Sequence, residues 1–345
     1  MSLLFDEICE QPSVLRGLAE KNGTTASSIA DEYRKRGLCG IYFAARGTSD
    51  HACVYAQYLF GIVAGIPCTL GTPSVITKYG GKLDLSRYLV VGVSQSGKAE
   101  DVLAVLKQAN EEGALTVAVT NDAGSPLARE AKYHLCCCAG EEISIAATKT
   151  FTAQMYLLAL LCEKLTGDRD LREQLDSVWS YAADLLRYAP VALEAKLQRY
   201  RYLTNAFILG RGLEYPIALE GALKILETNR IKMKGAPESD FYHGPIAQVK
   251  EGDLAIVVSA EGATYDDDLA MIKRLHEIGA EVFVITNSEE LIKTEKFGIL
   301  TPKTGAYAAP FMFAICVQLF AYELTVIRGI DPNKSDVLKK ITITK

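Results

Sequence analysis

This sequence has little that would suit a nucleic acid, a membrane or a metal ion. Its formal net charge is −5, so no broad basic surface is on offer to a phosphate backbone. No apolar run approaches the roughly 18 residues that a bilayer-spanning helix needs. The opening residues, Met1-Ser2-Leu3-Leu4-Phe5-Asp6-Glu7, lack the basic-then-apolar order of a secretory leader. Nine cysteines are scattered without a single C-x-x-C pair. Their one cluster, Cys136-Cys137-Cys138, would alternate faces on a strand and could not easily grip one ion. Small buried thiols in a reducing cytoplasm are the expectation, with no metal and no organic cofactor. Neither G-x-G-x-x-G nor the nucleotide P-loop occurs, and there is no low-complexity tract.

What is present is a repeat. Gly40-Ile41-Tyr42-Phe43-Ala44-Ala45-Arg46-Gly47 returns as Asn205-Ala206-Phe207-Ile208-Leu209-Gly210-Arg211-Gly212. Leu89–Ser94 returns as Leu254–Ser259, and Val117–Asn121 as Val282–Asn287, all at offsets of 165 to 166 residues. Three matches in one order and at nearly one spacing indicate a duplicated domain. A length of 345 residues suits two domains of about 150 each.

Apolar runs at Ile41–Ala45, Tyr88–Val93, Leu115–Thr120 and Tyr133–Cys138 read as parallel strands covered on both faces. Helical stretches such as His51–Val63 and Glu100–Asn110 alternate with them. The fold class expected is α/β, two tandem three-layer αβα sandwiches of flavodoxin-like type with parallel sheets. The expected organisation is N-terminal helices over 1–36, a first domain over 37–166, a helical linker over 167–200, a second domain over 201–329 and a polar tail over 330–345.

In open parallel sheets, ligands sit beyond the carboxyl ends of the strands. Three hydroxyl-rich loops of the first half belong there: Arg46-Gly47-Thr48-Ser49, Ser94-Gln95-Ser96-Gly97 and Ala146-Ala147-Thr148-Lys149-Thr150. Any one of them could be ordinary helix capping. Three at one sheet edge favour a cradle for a phosphate dianion, with a sugar phosphate preferred to a nucleotide. The matching loop of the second half, Ala260-Glu261-Gly262, carries a carboxylate that would repel phosphate.

Tyr215–Thr228 reads as one helix with Pro216 in its first turn. Glu220, Lys224 and Glu227 form a single narrow stripe, and apolar residues cover most of the remaining circumference. Such a helix is expected to be buried, and buried charges serve a site or pair with one another. A carboxylate in apolar surroundings is suited to passing a proton between carbons. His243, before Gly244-Pro245, is set on a sharp turn that could present its imidazole at a loop tip. His134 leads into a strand, and His276 lies on a helix face expected to be solvated.

Along these motifs the chain resembles the double sugar-isomerase (SIS) domain family, above all the isomerase half of glucosamine-6-phosphate synthase. The likeness runs through Glu7-Ile8-Cys9-Glu10-Gln11-Pro12, Gly47-Thr48-Ser49, Ser94-Gln95-Ser96-Gly97 and Ala147-Thr148-Lys149-Thr150. It continues through Gly210-Arg211-Gly212, Tyr215–Lys224, His243-Gly244-Pro245 and the tail Leu338-Lys339-Lys340-Ile341. The resemblance implies that Thr48, Ser94, Gln95, Ser96 and Thr148 hold a phosphosugar. It implies that Glu227 moves a proton between C1 and C2, supported by Lys224 and Glu220. It makes His243 the ring-opening residue, reaching in from a neighbouring subunit of a homodimer, and Lys340 a Schiff-base lysine, with Lys339 as its close neighbour.

Departures from the synthase pattern direct the reading of the reaction. The chain is expected to act without a glutaminase segment and its N-terminal cysteine nucleophile, the first sugar domain following directly on the N-terminal helices. Ala147 replaces a serine, Lys98-Ala99 replaces Glu-Thr, and Arg46–Ala52 is closer to SIS-type glucosamine-6-phosphate deaminases. The expected function is a deaminase/isomerase acting on glucosamine 6-phosphate and fructose 6-phosphate without cofactor. A fructosamine-6-phosphate deglycase, an isomerase subunit of an aminotransferase and a non-catalytic sugar-phosphate sensor are the alternatives. The site is expected where the two halves meet.

Overall fold

A computed structural model describes residues 2–334, 337, 338 and 340. The chain divides into two compact units. The first comprises Ser13–Glu142 and Lys149–Asp176 and takes in Lys340. The second comprises residues 2–12, Ile143–Thr148 and the chain from Ser177 to Leu338.

The first unit holds a five-stranded, wholly parallel sheet: β1 (Gly40–Ala44), β2 (Cys68–Leu70), β3 (Tyr88–Val93), β4 (Leu115–Thr120) and β5 (Tyr133–Cys136). The second repeats it with β6 (Asn205–Gly210), β7 (Lys232–Pro237), β8 (Leu254–Ser259), β9 (Glu281–Thr286) and β10 (Gly298–Leu300). Strand order is β2-β1-β3-β4-β5 in one and β7-β6-β8-β9-β10 in the other, the same flavodoxin-like path. The duplication extends to register: Ile41 pairs with Leu89, and 165 residues on Ala206 pairs with Leu254.

Alternation along the strands builds two helix layers per sheet. Tyr42, Ala44 and Val90 pack with Val102, Val105 and Leu106 of the Glu100–Glu111 helix, while Phe43 points the other way onto Phe60 at 6.3 Å. The equivalent Phe207, Leu209 and Ala255 pack with Met271, Ile272 and Leu275 of the Tyr265–Ile278 helix. On the far face Phe283 meets Phe320 edge-on at 5.3 Å. These are the two expected αβα sandwiches.

Three details differ from expectation. Ala309–Ile327 is a 19-residue helix long and apolar enough, by length and composition, to cross a membrane. Gln318, Glu323 and Thr325 interrupt its apolar run, which hid it from a search for unbroken stretches. It is almost wholly buried within the second unit, packed on the Tyr215–Asn229 helix. The strand expected over Tyr133–Cys138, β5, stops at Cys136, and the chain turns through Cys138 at φ 48°. The edge strands β2, β7 and β10 carry no clear periodic signal, being short, or polar and ending in Pro237.

Candidate functional site

The strand order reverses direction between β1 and β3, and again between β6 and β8. The loops after these strands are where an open α/β sheet leaves a crevice. In the first unit they are the two hydroxyl loops. Gly47 adopts φ 54°, a conformation that favours glycine, and its carbonyl accepts from the amides of Asp50 and His51 as the Thr48–Leu59 helix begins. Thr48 is half-buried and Ser49 buried. Arg46 donates to Asp101 at 2.8 Å, tying this loop to the first turn of the helix that follows β3.

Ser94 is buried at the end of β3, with Gln95 and Ser96 half-buried beyond it. The Gly97 amide donates to the Ser94 carbonyl at 3.1 Å, and the Lys98 amide to Ser96 Oγ at 3.3 Å. Gly97 has φ 61°, and a Cβ there would collide with Ser125. The turn therefore requires glycine, and it leaves Lys98 exposed beside the loop.

Glu142 supplies a second feature of this unit. Its carboxylate is buried and accepts from the Thr150 amide at 3.1 Å and hydroxyl at 2.8 Å, at the start of the Lys149–Thr166 helix. It also pairs with Lys340 Nζ at 3.0 Å. Lys340 is thus the lysine anchored at this helix N-terminus; its neighbour Lys339 lies outside the described residues.

In the second unit the loops at the reversal differ. Arg211 and Asp267 repeat the Arg46–Asp101 pair at 3.4 Å, but the loop after β8 presents Glu261. A hydrogen bond from Lys303, 2.9 Å away, holds that carboxyl below its usual range. Among the described residues, these two loops do not repeat the hydroxyl-rich sequences of the first unit.

The Tyr215–Asn229 helix carries the predicted stripe. It lies close on β6 and β7 and on the Ala309–Ile327 helix because small residues permit it. A Cβ at Gly221 would come within 2.7 Å of Ile208 and 3.0 Å of Val317, and one at Gly235 within 2.7 Å of the Ala218 carbonyl. The helix is buried nearly all round, with Leu226 an exposed exception. Glu220 and Lys224 are 0% and 2% exposed, and the Glu227 side chain 20%. Lys224 Nζ lies 2.6 Å from Glu227 Oε2 and 3.5 Å from Glu220 Oε1. One ammonium is shared by two carboxylates, and the only partly exposed member is Glu227.

Glu227 opens on a small pocket lined with Thr228, Ile145, Ala146, Asp331, Pro332 and Lys334. The third hydroxyl loop is thereby split. Residues up to Thr148 pack in the second unit, with Thr148 itself fully buried, while Lys149 and Thr150 belong to the first. Residues not marked out as site candidates hold this segment. Glu7 accepts from the amides of Ile143 and Ser144 and from the Ser144 hydroxyl. Gln11 donates to Gln318 at 2.8 Å, and Gln318 donates to the Thr148 carbonyl at 3.2 Å. Glu7 and Gln11 lie in a stretch that carries the family likeness, but that a buried carboxylate there grips a segment 136 residues away has no local signal.

His243 is exposed on its turn; its amide donates to Asp240 at 3.0 Å, and Gly244 follows at φ 131°. His134 is half-buried against Thr120 Oγ1 at 2.8 Å, and burial lowers its pKa. His276 lies on a solvated face beside Glu295, as expected. Among the described residues no cluster of three or more His, Cys, Asp or Glu could hold a metal ion.

Two parallel sheets of one topology, repeated in tandem with hydroxyl loops at the reversal of the first, define a duplicated α/β architecture. The SIS domain matches residues 39–164 and 203–328, and the chain belongs to that family. It is 31% identical over 350 residues to the glutamine–fructose-6-phosphate aminotransferase [isomerizing] of Thermococcus kodakarensis, covering 99% of this chain and 58% of that one. It therefore spans less than two thirds of that relative's length. Its fold matches the C-terminal domain of glucosamine-fructose-6-phosphate aminotransferase from Francisella tularensis, with TM-score 0.87 and 24% identity over 97% of this chain and 98% of that one. It also matches glucosamine-6-phosphate deaminase from Thermotoga maritima, with TM-score 0.82 and 21% identity over 99% of this chain and 100% of that one.

Proposed function

We propose that this chain is a deaminase/isomerase of phosphorylated amino sugars, converting glucosamine 6-phosphate and water to fructose 6-phosphate and ammonia, or the reverse. The observation that carries this reading is the buried Glu220–Lys224–Glu227 array, with Glu227 alone reaching toward open space. A protein that only sensed a sugar phosphate would have no use for a proton carrier held this way.

Hydroxyls of Thr48, Ser49, Ser94 and Ser96, the Gln95 side chain and the Gly47 and Gly97 turns receive the phosphosugar. His243 opens the ring to the C1 aldehyde. Glu227 then removes the proton from C2 and returns it to C1 while a proton passes from the amine to O1, which leaves a hydroxyl at C1 and an imine at C2. Lys224, poised on Glu227, steadies its charge while the proton is away. Lys340 displaces the amine from C2 as ammonia, and water then releases the ketose and restores the lysine. Glu142, 3.0 Å from Lys340 Nζ, holds this lysine at the start of the Lys149–Thr166 helix. The exposure of His243 supports a homodimer in which the imidazole serves a site of the partner copy. Nine free thiols support a cytoplasmic setting.

The test is ammonia release from a panel of phosphorylated amino sugars and fructosamine adducts. Wild type should release it from glucosamine 6-phosphate, and Glu227→Gln should lower the rate roughly 10²–10⁴-fold. Release that survives this substitution would sink the assignment. A second reading is favoured by the 31% identity to the aminotransferase: this chain would supply isomerisation to a glutamine-dependent partner activity. Amination of fructose 6-phosphate by ammonium alone supports the first reading. Amination that requires a glutaminase supports the second.

A further inference from the structure

The second sheet has buried groups at its reversal that the proposed reaction does not use. Glu238 begins the short Glu238–Phe241 helix at the carboxyl end of β7, and Asp268 lies in the first turn of the helix after β8. Each is 1% exposed. Asp268 Oδ2 accepts from Ser259 Oγ at 2.7 Å. Its other oxygen and both Glu238 oxygens receive no hydrogen bond from an amide, hydroxyl or cationic donor among the described residues. The group in hydrogen-bonding reach of Glu238 is the Asp268 carboxyl itself. Two carboxyls can bond one another only with a proton between them, and two buried carboxylates side by side could not both remain charged.

Arg211 draws both carboxyls downward, but burial outweighs it. Arg211, after β6, is engaged with Asp267 at 3.4 Å. Asp267 adds negative charge from the helix, and Glu214 adds a buried carboxyl from the Gly212–Glu214 turn. Tyr242 lies on the segment itself, with Arg274 and Arg211 near it. Burial pushes the Glu238 and Asp268 carboxyls upward.

We propose that Glu238 is a positioning residue for His243: it shares one proton with Asp268, and this bond clamps the root of the His243 segment to the second sheet. The connection is short and stiff. Phe241, fully buried, stacks edge-on against Phe207 at 5.4 Å, and the His243 amide is bonded to Asp240. If the proton leaves, two buried charges repel and the segment's root is expelled. The folded chain holds a proton that the unfolded chain gives up above about pH 4.3, so the clamp is intact in acid and at neutrality and fails as pH rises through the pair's raised titration. The link to turnover rests on the function proposed above; the clamp does not.

The experiment is hydrogen exchange of the full chain at about pH 6.5 and about pH 9.5, corrected for intrinsic rates, read over the amides of residues 239–249. Wild-type protection should fall about tenfold or more at the higher pH. Glu238→Gln, which still donates to Asp268 but has no proton to lose, should keep its protection at both; Glu238→Ala should be weak at both. Equal loss in wild type and Glu238→Gln, or no loss in wild type, overturns the proposal. If Glu238→Gln does not fold, Asp268→Asn, which donates toward Glu238, is held to the same criterion. Where turnover is measurable, wild type should show an alkaline decline with ring-closed substrate that Glu238→Gln lacks, and open-chain substrate should show none. Absence of all turnover would count against the proposed function and leave the exchange result to decide the clamp.

Discussion

Replacing Lys224 by methionine leaves the side-chain length nearly unchanged and removes the ammonium set between Glu220 and Glu227. Glu227 can turn toward water, since its side chain is 20% exposed; Glu220, at 0%, cannot. Leaving a buried charge without its partner typically costs about 3–5 kcal/mol. The carboxyl can escape that cost by taking a proton, which sets a ceiling. A glutamate in the unfolded chain titrates near 4.3, so protonation at pH 7 costs about 2.7 pH units at about 1.4 kcal/mol each, or about 3.7 kcal/mol. At pH 5 the same ceiling is about 1 kcal/mol. Lys224→Met should therefore destabilise the second unit by about 3–4 kcal/mol at pH 7, and the gap from wild type should close by about 2.7 kcal/mol at pH 5. Urea unfolding of both proteins at the two pH values measures this. A gap below about 1 kcal/mol at pH 7, or one that does not shrink in acid, would show that the Lys224–Glu220 pair does not carry this cost.

Gly97→Ala should weaken phosphosugar binding and destabilise the first unit by more than about 1 kcal/mol, because the φ of 61° and Ser125 both oppose a Cβ. Calorimetric titration with a sugar phosphate and a melting curve would check the two effects, and unchanged affinity would remove this loop from the cradle. Glu214, buried, has its carboxyl pushed up to about 8, chiefly by desolvation. Its folded-state pKa is raised, so wild-type stability should fall as pH climbs from about 4.5 toward 8, and Glu214→Gln should flatten that slope. Stability curves at pH 5 and 8 that stay parallel for the two proteins would contradict it.

Much of this architecture was legible in the chain. Runs such as Leu89-Val90-Val91 and Ile256-Val257-Val258 are apolar on both faces, which only a sheet covered on both sides can bury, and their recurrence marked the duplication. The stripe of Glu220, Lys224 and Glu227 was legible as well, because helical spacing sets one face and the apolar circumference implies burial. The Ala309–Ile327 helix was missed as a long apolar element because three polar residues break its run while its average stays high. The edge strands were missed because they are short or polar.

The sequence alone could not show which residues grip which across the fold. Glu7 on Ile143 and Ser144, Gln318 on the Thr148 carbonyl, Glu142 on Lys340 and Glu238 against Asp268 each join residues distant in the chain. Local spacing governs helix, strand and face, because these follow from periods of a few residues. Burial of a polar group and the identity of its partner depend on chain segments brought together only by folding, so the tertiary structure alone decided them.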